Sequence, residues 1–102
     1  MLPYKNMPRT MPVLSLDIHG QRLKIQPVNQ TTSRIDFADG TSLVLTIENT
    51  GIDNQNEDWM YKGRYFDAHG AKLPGGHTFG TTEQMTRALT MILNNNKQAQ
   101  LA

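Results

Sequence analysis

Leu14, Leu16 and Ile18 alternate with Ser15 and Asp17, and after His19-Gly20 Leu23 and Ile25 alternate with Arg22, Lys24 and Gln26. A period of two describes strands and not a helix. Residues 13–26 therefore read as a hairpin. A two-residue loop at His19-Gly20 sets Leu16 opposite Leu23 and Leu14 opposite Ile25. Residues directly opposite share a face, so this register builds one continuous apolar surface.

The same arithmetic applies to residues 32–49. Ile35 and Phe37 alternate on one arm, and Leu43, Leu45 and Ile47 on the other. A two-residue turn at Asp39-Gly40 would set Phe37 against Ser42 and Asp36 against Leu43. An odd loop, Ala38-Asp39-Gly40 with a left-handed glycine, pairs Ile35 with Leu43 instead, and this is the predicted turn. Residues 50–58 are polar and read as a solvated loop. A third strand pair follows over 59–73, with Trp59 to Phe66 as its long arm. Pro74-Gly75-Gly76 breaks or bulges the returning strand, and His77-Thr78-Phe79 resumes it.

The period then changes. Thr81-Thr82-Glu83-Gln84 fits a capping box, and Met85, Ala88, Leu89 and Ile92 follow at spacings of three and four. A helix of about three turns must lay that stripe on the sheet. The expected fold is α+β: an antiparallel meander sheet of five to six strands, in three hairpins, packed by one C-terminal helix. The expected limits are a flexible N-terminal arm over 1–11, a single domain over 12–95 and a disordered tail over 96–102.

The 102 residues carry a net charge of +1 and a mean hydropathy of −0.52. They are one domain's worth of chain, and neither multidomain nor histone-like. Leu, Ile, Val and Phe make up 22 of the 102 residues, just above the ~20% floor for folding chains. The absence of cysteine excludes disulfides, thiolate nucleophiles and Cys-ligated metals. No stretch has the length of a secretory apolar segment or a membrane span, so a cytoplasmic location is expected.

An internal echo links Leu16-Asp17-Ile18-His19-Gly20-Gln21-Arg22-Leu23 to Phe66-Asp67-Ala68-His69-Gly70-Ala71-Lys72-Leu73. Two Asp/His pairs could orient imidazoles for proton transfer or metal binding. Turn chemistry explains the same positions without a ligand, as one turn used twice. A metal at Asp67, His69 and His77 lacks a compact ligand spacing. No serine sits in a nucleophile elbow. Gly75, Gly76 and Gly80 precede a helix, but no phosphate-binding signature accompanies them. No catalytic residue, metal or cofactor is assigned. The enzyme reading would need Asp67, His69 and His77 to converge.

The partner-binding candidates lie on the third strand pair. One face of residues 59–66 carries Trp59, Tyr61, Gly63 and Tyr65, and the other Met60, Lys62, Arg64 and Phe66. If His69-Gly70 turns like His19-Gly20, Phe66 lies opposite Leu73 and faces the helix. Trp59, Tyr61 and Tyr65 are then an exposed aromatic stripe, which marks a contact surface. The alternative places the three aromatics in the core and leaves Lys62 and Arg64 solvated, and a bulge at Gly63 could switch between the two. Charge is segregated along the chain: +4 over residues 1–34, −6 over 35–58 and +3 over 59–102. Such segregation steers a patterned partner.

The stretch W-x-Y-x-G-R-Y-F-D-x-x-G followed by T-F-x-T-T-E-x-M-x-x-A resembles the sheet-plus-helix DNA-binding modules of the plant Apetala and integrase arm-binding type. That resemblance implies groove contacts from Trp59, Lys62, Arg64 and Lys72. The four preceding strands and the near-neutral charge depart from it. The preferred expectation is a non-catalytic binding protein acting through protein–protein contact. Such a chain serves as an inhibitor, adaptor or regulator, the kind common among phage and plasmid accessory proteins. Its contacts would be Trp59, Tyr61, Lys62, Arg64, Tyr65 and Lys72. Nucleic-acid binding by the 59–73 strand pair is the alternative. An unpaired edge strand could also make a homodimer.

Overall fold

The computed structural model describes residues 10–49, 51 and 58–95. The described elements run β1 (Leu14–Ile18), β2 (Gln21–Ile25), β3 (Pro27–Asn29), β4 (Thr32–Asp36), β5 (Ser42–Asn49), β6 (Trp59–Phe66), β7 (His77–Phe79) and α1 (Thr82–Asn95). β1 and β2 form a two-stranded sheet, and β3 to β7 form a five-stranded sheet in chain order. All pairings are antiparallel. The class is α+β, as the change of period predicts.

The first hairpin takes the predicted register, with Leu14 opposite Ile25 and Leu16 opposite Leu23. His19 and Gly20 have φ of 50° and 80°. Two successive left-handed residues match the twist of the flanking strands. The second hairpin pairs Ile35 with Leu43, as the odd loop requires. Gly40 sits at φ 91°. Phe37 and Thr41 close the loop through a 2.9 Å main-chain bond. Asp39 Oδ1 accepts from the Thr41 hydroxyl at 2.6 Å and the Thr41 amide at 2.9 Å. These bonds, the hydroxyl first, hold the Asp39 carboxyl below its ordinary range.

β3 is an addition to the expected strands. Residues 21–29 are all strand except Gln26, but the first part bonds to β1 and the second to β4. The change of sheet falls at Gln26-Pro27, where proline has no amide to give a ladder. The packed region also starts earlier than residue 12. Met11 is buried, and its amide donates to the Gln30 carbonyl at 2.8 Å. Residues 1–9 of the expected arm, the tail over 96–102 and most of the loop over 50–58 lie outside the described residues.

At the end of the chain Thr81 Oγ1 accepts from the Gln84 amide at 3.0 Å. Gln84 Oε1 reaches back to the Gly80 amide, also at 3.0 Å. This is a capping box whose return bond falls one residue early. α1 is nearly four turns long, and its buried line is Met85, Leu89 and Leu93, with Ile92 half-buried. One core cluster joins these residues to Leu14, Leu16 and Ile18 of β1 and to Leu43, Leu45, Ile47 and Tyr61 of the larger sheet. The far end of α1 is fastened to the first turn. Asn94 Nδ2 donates to the Asp17 carbonyl at 2.9 Å, and Asn94 Oδ1 accepts from the His19 amide at 2.7 Å.

Candidate functional site

The expected exposure of the aromatic stripe on β6 is overturned. Tyr61 is wholly buried, and its hydroxyl lies 2.6 Å from Thr82 Oγ1 at the start of α1. Trp59 and Tyr65 are half-buried and packed against the core. Tyr65 Oη is 2.8 Å from His77 Nε2, and burial pushes the Tyr65 phenol above its ordinary pKa. Met60, Lys62, Arg64 and Phe66 take the other face.

The cause is the turn after β6. Asp67 pairs with Ala71 through a 2.9 Å main-chain bond, and Leu73 donates to Tyr65 at 2.8 Å. The loop is therefore Ala68-His69-Gly70, with Gly70 at φ 84°. One added loop residue puts Tyr65 rather than Phe66 opposite Leu73. A one-residue slip in a strand exchanges its faces. No bulge at Gly63 is involved, because β5 and β6 pair without a break from Ser42–Phe66 to Asn49–Trp59. The two Asp-x-His-Gly segments thus adopt different turns. Asp67 Oδ1 accepts from the His69 and Ala71 amides at 2.9 Å each, whereas Asp17 is a strand residue 3.4 Å from Arg22.

The outer face of the five-stranded sheet is assembled rung by rung. Arg34, Val44 and Arg64 lie abreast on β4, β5 and β6. Asp36, Ser42, Phe66 and Lys72 form the next rung. Thr32, Thr46, Lys62 and Thr78 form the rung on the other side, and Glu48 stands opposite Met60. Val44, Met60 and Phe66 are half-buried apolar side chains set among charges. Of the six predicted contact residues, Lys62, Arg64 and Lys72 come together here; Trp59, Tyr61 and Tyr65 belong to the inner face.

Arg64 is committed within this face. Its two terminal nitrogens grip both Glu48 oxygens, Nη2 to Oε1 at 3.0 Å, and Nη1 also reaches Thr46 Oγ1 at 3.3 Å. Thr46 Oγ1 donates to Glu48 Oε2 at 2.6 Å. The Arg64 bonds, followed by the Thr46 bond, lower the Glu48 carboxyl to a pKa of about 2. Arg34 Nε is closed onto Asp36 Oδ1 at 2.7 Å. Lys62 Nζ donates to the Thr78 hydroxyl at 3.3 Å and has no ion-pair partner among the described residues. A shallow groove of about 200 Å³ lies between Lys62, Arg64, Lys72, Gly75, Gly76 and Thr78. A larger one of about 340 Å³ marks the seam where β2 parts from β4, with Leu23, Ile25 and Ile35 under Lys24, Arg34 and Asp36.

Sequence reasoning grouped Met60 and Phe66 with Lys62 and Arg64 but turned that face to the helix, and it missed Val44 and Glu48 as members of the face. The register of the second hairpin already joins Arg34 to Val44. The β5–β6 register is set across residues 50–58, which carry no apolar pattern, so the partners of β6 could not be read. Among the described residues no three of His, Asp and Glu gather as a metal site, and Asp67, His69 and His77 do not converge. No helix among the described residues is long and apolar enough to cross a membrane. No protein-family model, curated protein or solved structure matches the chain.

Proposed function

We propose that this is a binding protein that works through protein–protein contact, with the outer face of β4, β5 and β6 as its contact surface. One observation carries the reading. Val44 and Phe66 lie on neighbouring rungs as a half-buried apolar centre on a sheet face, bordered by Arg34, Asp36, Arg64 and Lys72, with Met60 beyond the Thr46–Lys62 rung. An apolar centre within a charged border is the anatomy of a protein interface. A nucleic-acid surface needs a track of uncommitted cations. Here two of the four cations, Arg34 and Arg64, are already held by carboxylates on the same face.

The test is affinity capture with a Val44→Glu/Phe66→Glu variant beside the wild-type chain. Met91→Glu, on the exposed side of α1, is the control. Specific partners should be lost from the sheet-face variant and kept by the control. Equal capture by all three would refute the choice of surface.

A further inference from the structure

Resting on that reading, we propose that the groove beside β6 receives a carboxylate side chain from an acidic segment of the protein partner. The groove exists because the last strand pair changes register. Phe66 pairs with Lys72, and Gly63 with His77, so residues 73–76 lie against residues 64–65 of β6. The surplus chain bulges at Pro74-Gly75-Gly76, and Gly75 and Gly76 are exposed. A side chain at Gly76 would stand 2.9 Å from the Gly63 carbonyl, so only glycine lets the main chain lie this close to β6. The groove is consequently floored by backbone and walled by Lys62, Arg64, Lys72 and Thr78.

The charges there are unequal. Arg64 is occupied by Glu48. Neither Lys62 nor Lys72 has an ion-pair partner among the described residues. Lys62 acts on Glu48 only through space, without a direct ion pair. Two ammonium groups and the Arg64 guanidinium beside exposed backbone thus share one carboxylate and leave a local positive excess that an anion would complete. Its size and setting choose the anion. A phosphate backbone carried across this face would pass over Asp36 and Glu48. A peptide can place one carboxylate in the groove and lay apolar side chains on Val44, Met60 and Phe66. Charge complementarity of this kind fixes orientation more than it adds affinity.

The probe is a capped oligoglutamate peptide, titrated into the full ¹⁵N-labelled chain at low and at physiological salt. Parallel titrations use a short DNA duplex and sodium phosphate. Saturable amide shifts at Lys72, Gly75 and Gly76 are expected with oligoglutamate, weakening as salt rises. Lys62→Glu/Lys72→Glu should bind on the order of tenfold more weakly, from two lost charge contacts. Lys62→Ala/Lys72→Ala serves if the reversal disturbs folding. The proposal is overturned by absent or scattered shifts at low salt, by both variants binding like wild type, or by DNA or phosphate binding more tightly than oligoglutamate. Such a failure alongside lost capture by the Val44/Phe66 variant would remove the carboxylate site and leave the sheet-face reading standing.

Discussion

Tyr61 and Arg64 lie three residues apart on one strand and meet opposite fates. The Tyr61 ring is sealed in the core, with its hydroxyl on the first turn of α1. Arg64 lies on the open side, tied to Glu48 and Thr46. Both residue types are frequent in binding surfaces. Their roles differ because alternate residues of a strand point to opposite sides. The inner face of β6 holds the fold together, and the outer face is partly open to solvent. Substitutions on the two faces should therefore move different measurements.

The largest expected effect is Tyr61→Ala, a loss of about 3–5 kcal/mol, as for other buried aromatic truncations. Tyr61→Phe should cost about 1 kcal/mol, since only the bond to Thr82 is removed. Phe66→Ala, on the half-covered outer face, should cost less than about 1.5 kcal/mol. Urea denaturation at constant m-value measures all three. Equal losses for Tyr61→Ala and Phe66→Ala would erase the distinction between the faces.

This contrast also separates what the sequence made legible from what it did not. Where a short turn joins two alternating arms, pairing follows from counting, and both Leu16–Leu23 and Ile35–Leu43 were readable in this way. The turn after β6 defeated the count. Asp67-Ala68-His69-Gly70 repeats the letters of Asp17-Ile18-His19-Gly20, yet its neighbours differ in kind. Ile18 is a core side chain at 5% exposure, so Asp17 must remain in the strand. Ala68 is exposed and has no such claim on the core, so Asp67 is released to accept two amides of the turn. β3 was missed for another reason: three residues beginning with proline carry too little pattern to announce a strand. Met60, Lys62, Arg64 and Phe66 share a face by strand parity alone, so that part of the candidate site was legible. Lys72 joins it only through the three-residue turn, which pairs it with Phe66 rather than Asp67, and Val44 and Glu48 needed the β5–β6 register.

Ser33 sharpens the comparison from the inner side. It is fully buried on β4 opposite Leu45, and its hydroxyl has no hydrogen-bond partner among the described residues. Burying an unpaired hydroxyl is unfavourable. Ser33→Ala should thus raise stability, by about 1 kcal/mol, the reverse of the other inner-face truncation. A lower urea midpoint in the variant would contradict this account of Ser33.

The smallest effect expected is on the outer face and depends on pH. Glu48 falls from an ordinary value of 4.5 to about 2 in the folded chain, through the Arg64 bonds first and the Thr46 bond second. A depressed carboxyl contributes stability that is complete above its unfolded pKa and disappears as pH falls through its folded one. The window is therefore between about pH 4.5 and pH 2. The Glu48 side chain is 35% exposed, so solvent screening leaves a contribution of only about 0.5 kcal/mol. Glu48→Gln should be less stable than wild type by that margin near neutral pH, and the two should converge towards pH 2. A difference that stays constant across the window would mean that packing, not charge, accounts for the pair. The same substitution leaves the Arg64 guanidinium without its counter-charge, next to Lys62 and Lys72. If the two faces of β6 are divided as argued, this variant loses a little stability and binds oligoglutamate more tightly than the wild type.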